Sequence, residues 1–237
     1  MQSIVTVLAL GLAMLALEQA RPARRFARVA GWWPRAIGLT AVQGAVALVA
    51  INTCDRWLPA LALWRLDTGS VAGDALAGYL VLTFVYYWWH RARHEVPFLW
   101  RWLHRVHHSA TRIELITSFY KHPAEIACNA LLSALVVYVL LGLAPEAAAV
   151  VVTVSGMAEL FYHWNVKTPR WLGFIVQRPE SHCVHHERGR HTGNFADLPL
   201  WDLLFGTFDN PHRAPRHCGF GPEIEQRFPQ LLMGRIR

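Results

Sequence analysis

An apolar block from Ala75 to Trp89 runs without a break into His90-Arg91-Ala92-Arg93-His94, and His104-Arg105-Val106-His107-His108 follows closely. On a helix, His90 and His94 stand one turn apart on one face, and the offsets of three and four do the same for His104, His107 and His108. The second pattern returns as His182-Cys183-Val184-His185-His186. Imidazoles at ligand spacing, some at the foot of an apolar helix, restrict the fold to one that gathers helix ends around metal. An all-nitrogen neutral shell suits iron, copper or zinc; calcium and magnesium take oxygen ligands.

These eight rings exceed what one tetrahedral zinc uses, so two metals are the economical count. A HExxH zinc-protease motif is absent: Arg91 follows His90, Val96 and Pro97 follow His94-Glu95, and the next histidine after His186-Glu187 is His191, one residue too late. A redox-active metal pair beside a membrane points to iron and to dioxygen chemistry on a lipid. Two further histidines join the candidates. His163 ends a later apolar block as His90 ends the one before it, and His122, in Lys121-His122-Pro123-Ala124-Glu125, opens a block at the same depth. His191, His212 and His217 lack helical spacing and fall to the surface or behind the ligands.

Composition decides the solvent. Hydrophobic residues make up 54% of the 237, charged residues only 16%, and the apolar residues come in blocks, which favours a membrane protein over a soluble globule. The net charge of +7 lies beside those blocks, so it reads as a topology signal and an attraction to anionic headgroups, with no nucleic-acid partner. Residues 1–17 form an apolar block whose basic residues Arg21, Arg24, Arg25 and Arg28 come after it, as expected of an uncleaved membrane helix with its C-terminus inside. Further blocks cover about 36–51, 75–89, 126–144 and 147–162, with Pro145 and Glu146 opening the last, and Tyr86-Tyr87-Trp88-Trp89 reading as an interfacial aromatic belt. The fold expected is an all-α membrane protein of four or five transmembrane helices, with a cytosolic helical cap holding a histidine-rich dimetal site.

Topology supports a shared site. The chain crosses twice between His108 and His182, so both HxxHH clusters emerge on one side. Of 23 Lys and Arg, only two fall in residues 52–73, the loop assigned to the opposite side. Pro169, Pro179, Pro199, Pro211 and Pro215 break the tail into short cap elements, and the whole of 1–237 reads as a single domain. Cys54, Cys128, Cys183 and Cys218 show no disulfide or metal spacing. Arg outnumbers Lys by 21 to 2, in keeping with a GC-rich bacterial genome and hence an inner-membrane location, or the endoplasmic reticulum membrane for a eukaryotic chain.

HRARH, HRVHH and HCVHH, in this order across a membrane hairpin, resemble the fatty acid hydroxylase/sterol desaturase superfamily of integral-membrane diiron enzymes. KHPAE at 121–125, Phe161-Tyr162-His163-Trp164-Asn165 with Pro169, and Asn194-Phe195 followed by LPLWDLLFGTF at 198–208 extend the resemblance over about residues 80–210. It implies a helical stem under a cap and two non-haem irons. The ligands it implies are His90, His94, His104, His107, His108, His182, His185 and His186, with His163 added. Some lipid 2-hydroxylases of this family carry another histidine four residues after His163; here the position is Lys167, so His122 takes that place or one iron has a ligand fewer. With no cytochrome b5-like domain in the sequence, the resemblance implies a separate electron donor of cytochrome b5, ferredoxin or reductase type.

The expected activity is O2-dependent hydroxylation of an unactivated C–H bond of a membrane lipid: fatty acyl, sterol, sphingoid or ether lipid. The alternatives are a lipid desaturase or carotenoid-type hydroxylase on the same scaffold, and a non-catalytic metal-binding or transport protein. Glu95, Glu125, Glu159, Glu180, Glu187 and Asp197 are the acids available to orient ligand rings.

Overall fold

The computed structural model describes residues 2–236, with side chains at 5, 7 and from 9 onward, and among the described residues it holds no β-strand. Five long helices form the stem: α1 (Gln2–Ala20), α2 (Trp32–Asn52), α3 (Val71–Glu95), α5 (Pro123–Ala134) and α6 (Pro145–His163). Short elements make the cap, chiefly α4 (Arg105–Ser109), α7 (Pro179–His185) and α8 (Pro199–Phe205).

Local chemistry sets these boundaries. The Ser70 hydroxyl accepts from the Gly73 N–H, capping α3. Pro123, Pro145, Pro179 and Pro199 stand in the first turns of their helices, where a missing N–H costs nothing. Pro145 and Glu146 open α6 as their types suggested.

Two stretches leave the α-helical ladder for wider π turns, Leu135–Leu140 after α5 and Trp100–His104 before α4. The second ends on His104, the first ligand of the first HxxHH motif, the kind of place where π turns concentrate.

One apolar core binds the stem helices to one another and a second holds the stem to the cap. One packs Ala75 and Leu82 of α3 against Val136, Val137, Leu143, Ala147 and Val151 of the α5–α6 hairpin. The other joins Trp32, Ala36 and Leu39 of α2 to Val106 and Ala110 beside the histidines and to Leu231 and Ile236 of the tail. The hairpin returns the chain to the end it left, so α4 and α7 meet.

Trp32–Leu61, Val71–Glu95 and Pro123–Leu140 are long and apolar enough to cross a membrane by length and composition. Among the described residues that is three, against the four or five expected. α6 carries Glu146 and Glu159, which lower its mean hydropathy, and in α1 the apolar helix is the shorter Ala9–Ala20. Large apolar side chains such as Leu12, Ile37, Leu48 and Leu76 point outward, as befits an integral membrane protein whose stem faces hydrocarbon.

The aromatic run at the foot of α3 departs from a simple interfacial belt. Only Trp88 of the four is exposed. Tyr86 bonds the Asn129 carbonyl at 2.7 Å, Trp89 donates to the Asn129 side chain at 2.8 Å, and Tyr87 is buried against Phe205 with its hydroxyl 3.1 Å from Thr207. Each of those three polar tips finds a protein partner, which a lipid headgroup would otherwise supply.

Candidate dimetal centre

Nine histidines converge where α3, α4, α6 and α7 end, and they sort into two groups whose ligating nitrogens lie within 4.8 Å of one another. The first holds His90, His94, His104, His108 and His185; the second holds His107, His163, His182 and His186. The sorting crosses the motifs. In each HxxHH the i and i+4 rings go to one group and the i+3 ring to the other, because on a helix the i+3 side chain points to the opposite flank of the shared stripe. His90 and His94 complete the first group from α3, and His163 completes the second from the end of α6.

The spacing between nitrogens is that of a coordination shell. In the first group, His104 Nε2 is 3.0 Å from His90 Nε2 and 3.1 Å from His108 Nε2. In the second, His182 Nε2 is 3.0 Å from His163 Nε2 and 3.1 Å from His186 Nε2, and His163 Nε2 is 3.3 Å from His107 Nε2. Nitrogens bound at right angles about 2.1 Å from one metal stand about 3 Å apart. The Nε2 atoms of His94 and His185 are buried with no hydrogen-bond partner, a cost that a bound cation would remove. The residues present therefore fit two metal ions.

Five rings are oriented by main-chain carbonyls on their far side. Nδ1 of His90 donates to Phe195 at 2.7 Å, of His94 to His191 at 2.8 Å, of His107 to Tyr120 at 3.2 Å, of His163 to Glu159 at 2.9 Å and of His185 to Gly193 at 2.7 Å. A proton on Nδ1 leaves the Nε2 lone pair for a metal. His104 leans instead on the Glu125 carboxylate, 2.7 Å from its Nδ1, and that carboxylate also takes a hydrogen bond from Arg93 Nη1. Both partners of the Arg93–Glu125 pair are buried.

Burial holds the cap rings neutral. Desolvation above all, reinforced by neighbouring imidazoles, pushes His104, His107, His108, His182 and His186 well below the ordinary imidazole range, and takes His185 down to about 3. Neutral rings are the ligating form.

His122 is not brought into either group. Its Nδ1 accepts from the Ala124 N–H at 3.0 Å and its Nε2 donates to the Leu232 carbonyl at 3.1 Å, so it caps α5 with both nitrogens engaged. Of the acids, Glu125 alone meets a histidine side chain of these groups through its carboxylate. The Glu159 carboxylate pairs with Lys121, Glu95 with Arg91, Glu180 with Arg178, Glu187 with Arg190, and Asp197 bonds Ser155 at 3.4 Å.

Two further residues stand behind the rings: His191, which the sequence left at the surface or behind the ligands, and Gln177, which it did not single out. His191 places Nδ1 3.1 Å from His108 Nδ1 while its carbonyl holds His94, and Gln177 Nε2 lies 3.1 Å from His182 Nδ1. The signal available for His191 was a turn, since Gly189 and Gly193 on either side both take positive φ.

The family model described as fatty acid hydroxylase matches residues 75–207, a span that contains all nine rings. The chain belongs to the fatty acid hydroxylase family. Relatives include alkylglycerol monooxygenase of Homo sapiens, 31% identical over 138 residues, covering 56% of this chain and 30% of that protein. Ornithine lipid hydroxylase OlsE of Rhizobium tropici is 31% identical over 151 residues, 62% of this chain and 45% of that protein. Very-long-chain aldehyde decarbonylase GL1-5 of Oryza sativa subsp. indica is 31% identical over 161 residues, 63% of this chain and 25% of that protein. The match to each of these family members spans less than half of its length. No solved structure matches the chain.

Proposed function

We propose that the protein is a membrane-bound lipid hydroxylase that holds two irons in the crossed five-plus-four arrangement of imidazoles, with His90, His94, His104, His108 and His185 around one ion and His107, His163, His182 and His186 around the other. That arrangement carries the reading. Five neutral nitrogens exceed a tetrahedral zinc shell, while iron accepts five or six ligands and prefers imidazole over harder cations.

When bound, the iron pair supplies the redox chemistry that activates dioxygen. One oxygen atom enters a C–H bond of the lipid and the other leaves as water, with two electrons and two protons from outside. The protein contributes position and exclusion. Main-chain carbonyls and Glu125 fix the ring planes before any ligand arrives, so no reorganisation is required of them during turnover. The outer face of the stem is apolar, and a packed aromatic cluster of Phe84, Tyr87, Trp201 and Phe205 runs from it towards His90 through Phe195, whose ring lies 5.6 Å from that imidazole. An acyl or alkyl chain enters along that cluster while its headgroup stays at the membrane surface. The names of the relatives, alkylglycerol monooxygenase and ornithine lipid hydroxylase, support lipid as the substrate class. The charge distribution supports a cytoplasmic cap.

Iron-57-loaded protein in mild detergent tests the reading by Mössbauer spectroscopy and by turnover of a membrane lipid extract. About two coupled irons per chain, with an O2-dependent gain of 16 mass units in one lipid class, are expected. A loss of 2 units transfers the assignment to a desaturase. Iron-loaded protein without O2-dependent turnover overturns the enzyme reading in favour of a metal-binding protein.

A further inference from the structure

A cavity of about 640 Å³ lies in the cap on the far side of α7 from the rings, lined by Arg24, Trp164, Lys167, Cys183, His212 and Arg213 among others. Its charge is one-sided. Lys167, His212 and Arg213 are exposed, and neither Lys167 nor Arg213 forms an ion pair among the described residues. Arg24 donates to the Pro215 carbonyl at 2.7 Å and lies 3.1 Å from Cys183 Sγ. The one carboxylate in the wall, Glu180, is held by the Thr168 N–H at 2.9 Å and hydroxyl at 2.7 Å, and by Arg178 at 3.2 Å.

Two of the lining residues are covalent neighbours of ring-bearing positions. Trp164 follows His163, and Cys183 follows His182. Both histidines belong to the second group, and their Nε2 atoms are 3.0 Å apart. A redox group brought against this cavity is therefore one residue of continuous bonded chain from two members of the same group. Such a path carries an electron better than a jump across loosely packed side chains.

Resting on the diiron reading above, we propose that this cavity and its basic rim form the docking site of an acidic one-electron carrier protein, and that electrons enter at the second metal position through His163 and His182. Each encounter oxidises the carrier by one electron and reduces one ferric ion to ferrous; two encounters supply the pair of electrons each dioxygen requires. Opposed charge on the two partners steers the encounter and sets its rate more than its final affinity. An anionic lipid headgroup would also satisfy the rim charges, but that occupant makes no use of the adjacency to His163 and His182.

The test uses the full chain, iron-loaded in detergent, with plant-type [2Fe–2S] ferredoxin as the acidic carrier and the methyl viologen radical cation as a positively charged reductant. Binding of labelled ferredoxin and stopped-flow oxidation of reduced ferredoxin are both measured, for the native chain and for K167E/R213E. The native chain is expected to bind and oxidise ferredoxin in a salt-sensitive manner. The variant, with its iron content retained, is expected to lose about tenfold in both affinity and rate. Its reduction by viologen is expected to be undiminished.

Equal ferredoxin binding and rates in the two proteins overturn the proposal, as does a native chain that does not react with ferredoxin. A variant that loses only its binding to phosphatidylglycerol vesicles assigns the surface to lipid instead. An iron-loaded chain that viologen reduces but that consumes no O2 with a lipid extract refutes the oxygenase reading, whatever ferredoxin does.

Discussion

Glu125 is the one place where a side-chain carboxylate, rather than the main chain, orients a ring of the centre. Replacing it by Gln keeps the shape but removes the anion that polarises His104 and partners buried Arg93. We expect metal affinity to fall about 10- to 100-fold, read by chelator competition, with Glu125→Asp recovering part of it. His122 and His163 give a second, paired prediction. His163→Ala removes a member of a four-ring group and is expected to lower metal content. His122→Ala removes a helix cap and is expected to leave metal content unchanged while costing about 1 kcal/mol in thermal unfolding. Spacing made eight rings legible as ligand candidates, because offsets of three and four fix a shared face, and position at the edge of an apolar block added His163 and His122. It could not divide them between two metals, which depends on how α4 and α7 face each other. Nor could it separate His122 from His163, since both stand at the edge of an apolar block; what tells them apart is the hydrogen bond of the His122 ring to the Leu232 carbonyl.

Among the elements, the tail shows how the two HxxHH helices are held in register. Gly219 sits at φ +71°, and a Cβ built there would lie 2.7 Å from Ala110 C and 2.8 Å from Ser109 O, directly after the first motif. Its N–H donates to the His186 carbonyl at 3.0 Å, at the end of the second. Gly219→Ala is therefore expected to cost about 2–4 kcal/mol of stability and to depress metal loading, because the strained backbone must push α4 and α7 apart. Thermal unfolding and metal analysis of the variant check both. The helix start at Pro145 was legible because proline fixes its own φ. The π turn at Trp100–His104 and the inward-facing tyrosines of α3 were not, since each answers to contacts made far along the chain.

At the scale of the whole molecule, pH acts through the buried rings. An imidazole whose folded pKa is lowered binds its proton more readily in the unfolded chain. The stability it contributes is intact above the unfolded value of about 6.5 and is lost as pH falls toward the folded value, about 3 for His185. Five further cap rings shift the same way. Asp197, raised to about 7, and Asp202, raised to about 6, both chiefly by burial, work in the opposite sense, losing stability as pH rises through those values, but the lowered rings outnumber them. The metal-free protein is expected to melt at progressively lower temperature from about pH 6.5 downward, and added Fe(II) to raise the melting temperature most near neutrality, where no proton competes. A melting series with and without metal measures this. The main-chain carbonyls at 120, 159, 191, 193 and 195, which aim five of the rings, belong to the peptide unit and survive any change of side chain at those positions. Random substitution there cannot delete an acceptor; it can only disturb the path of the chain. A lineage could thus rework the lipid-facing stem for new substrates while the aim of those five imidazoles passes intact from one ancestor to the next.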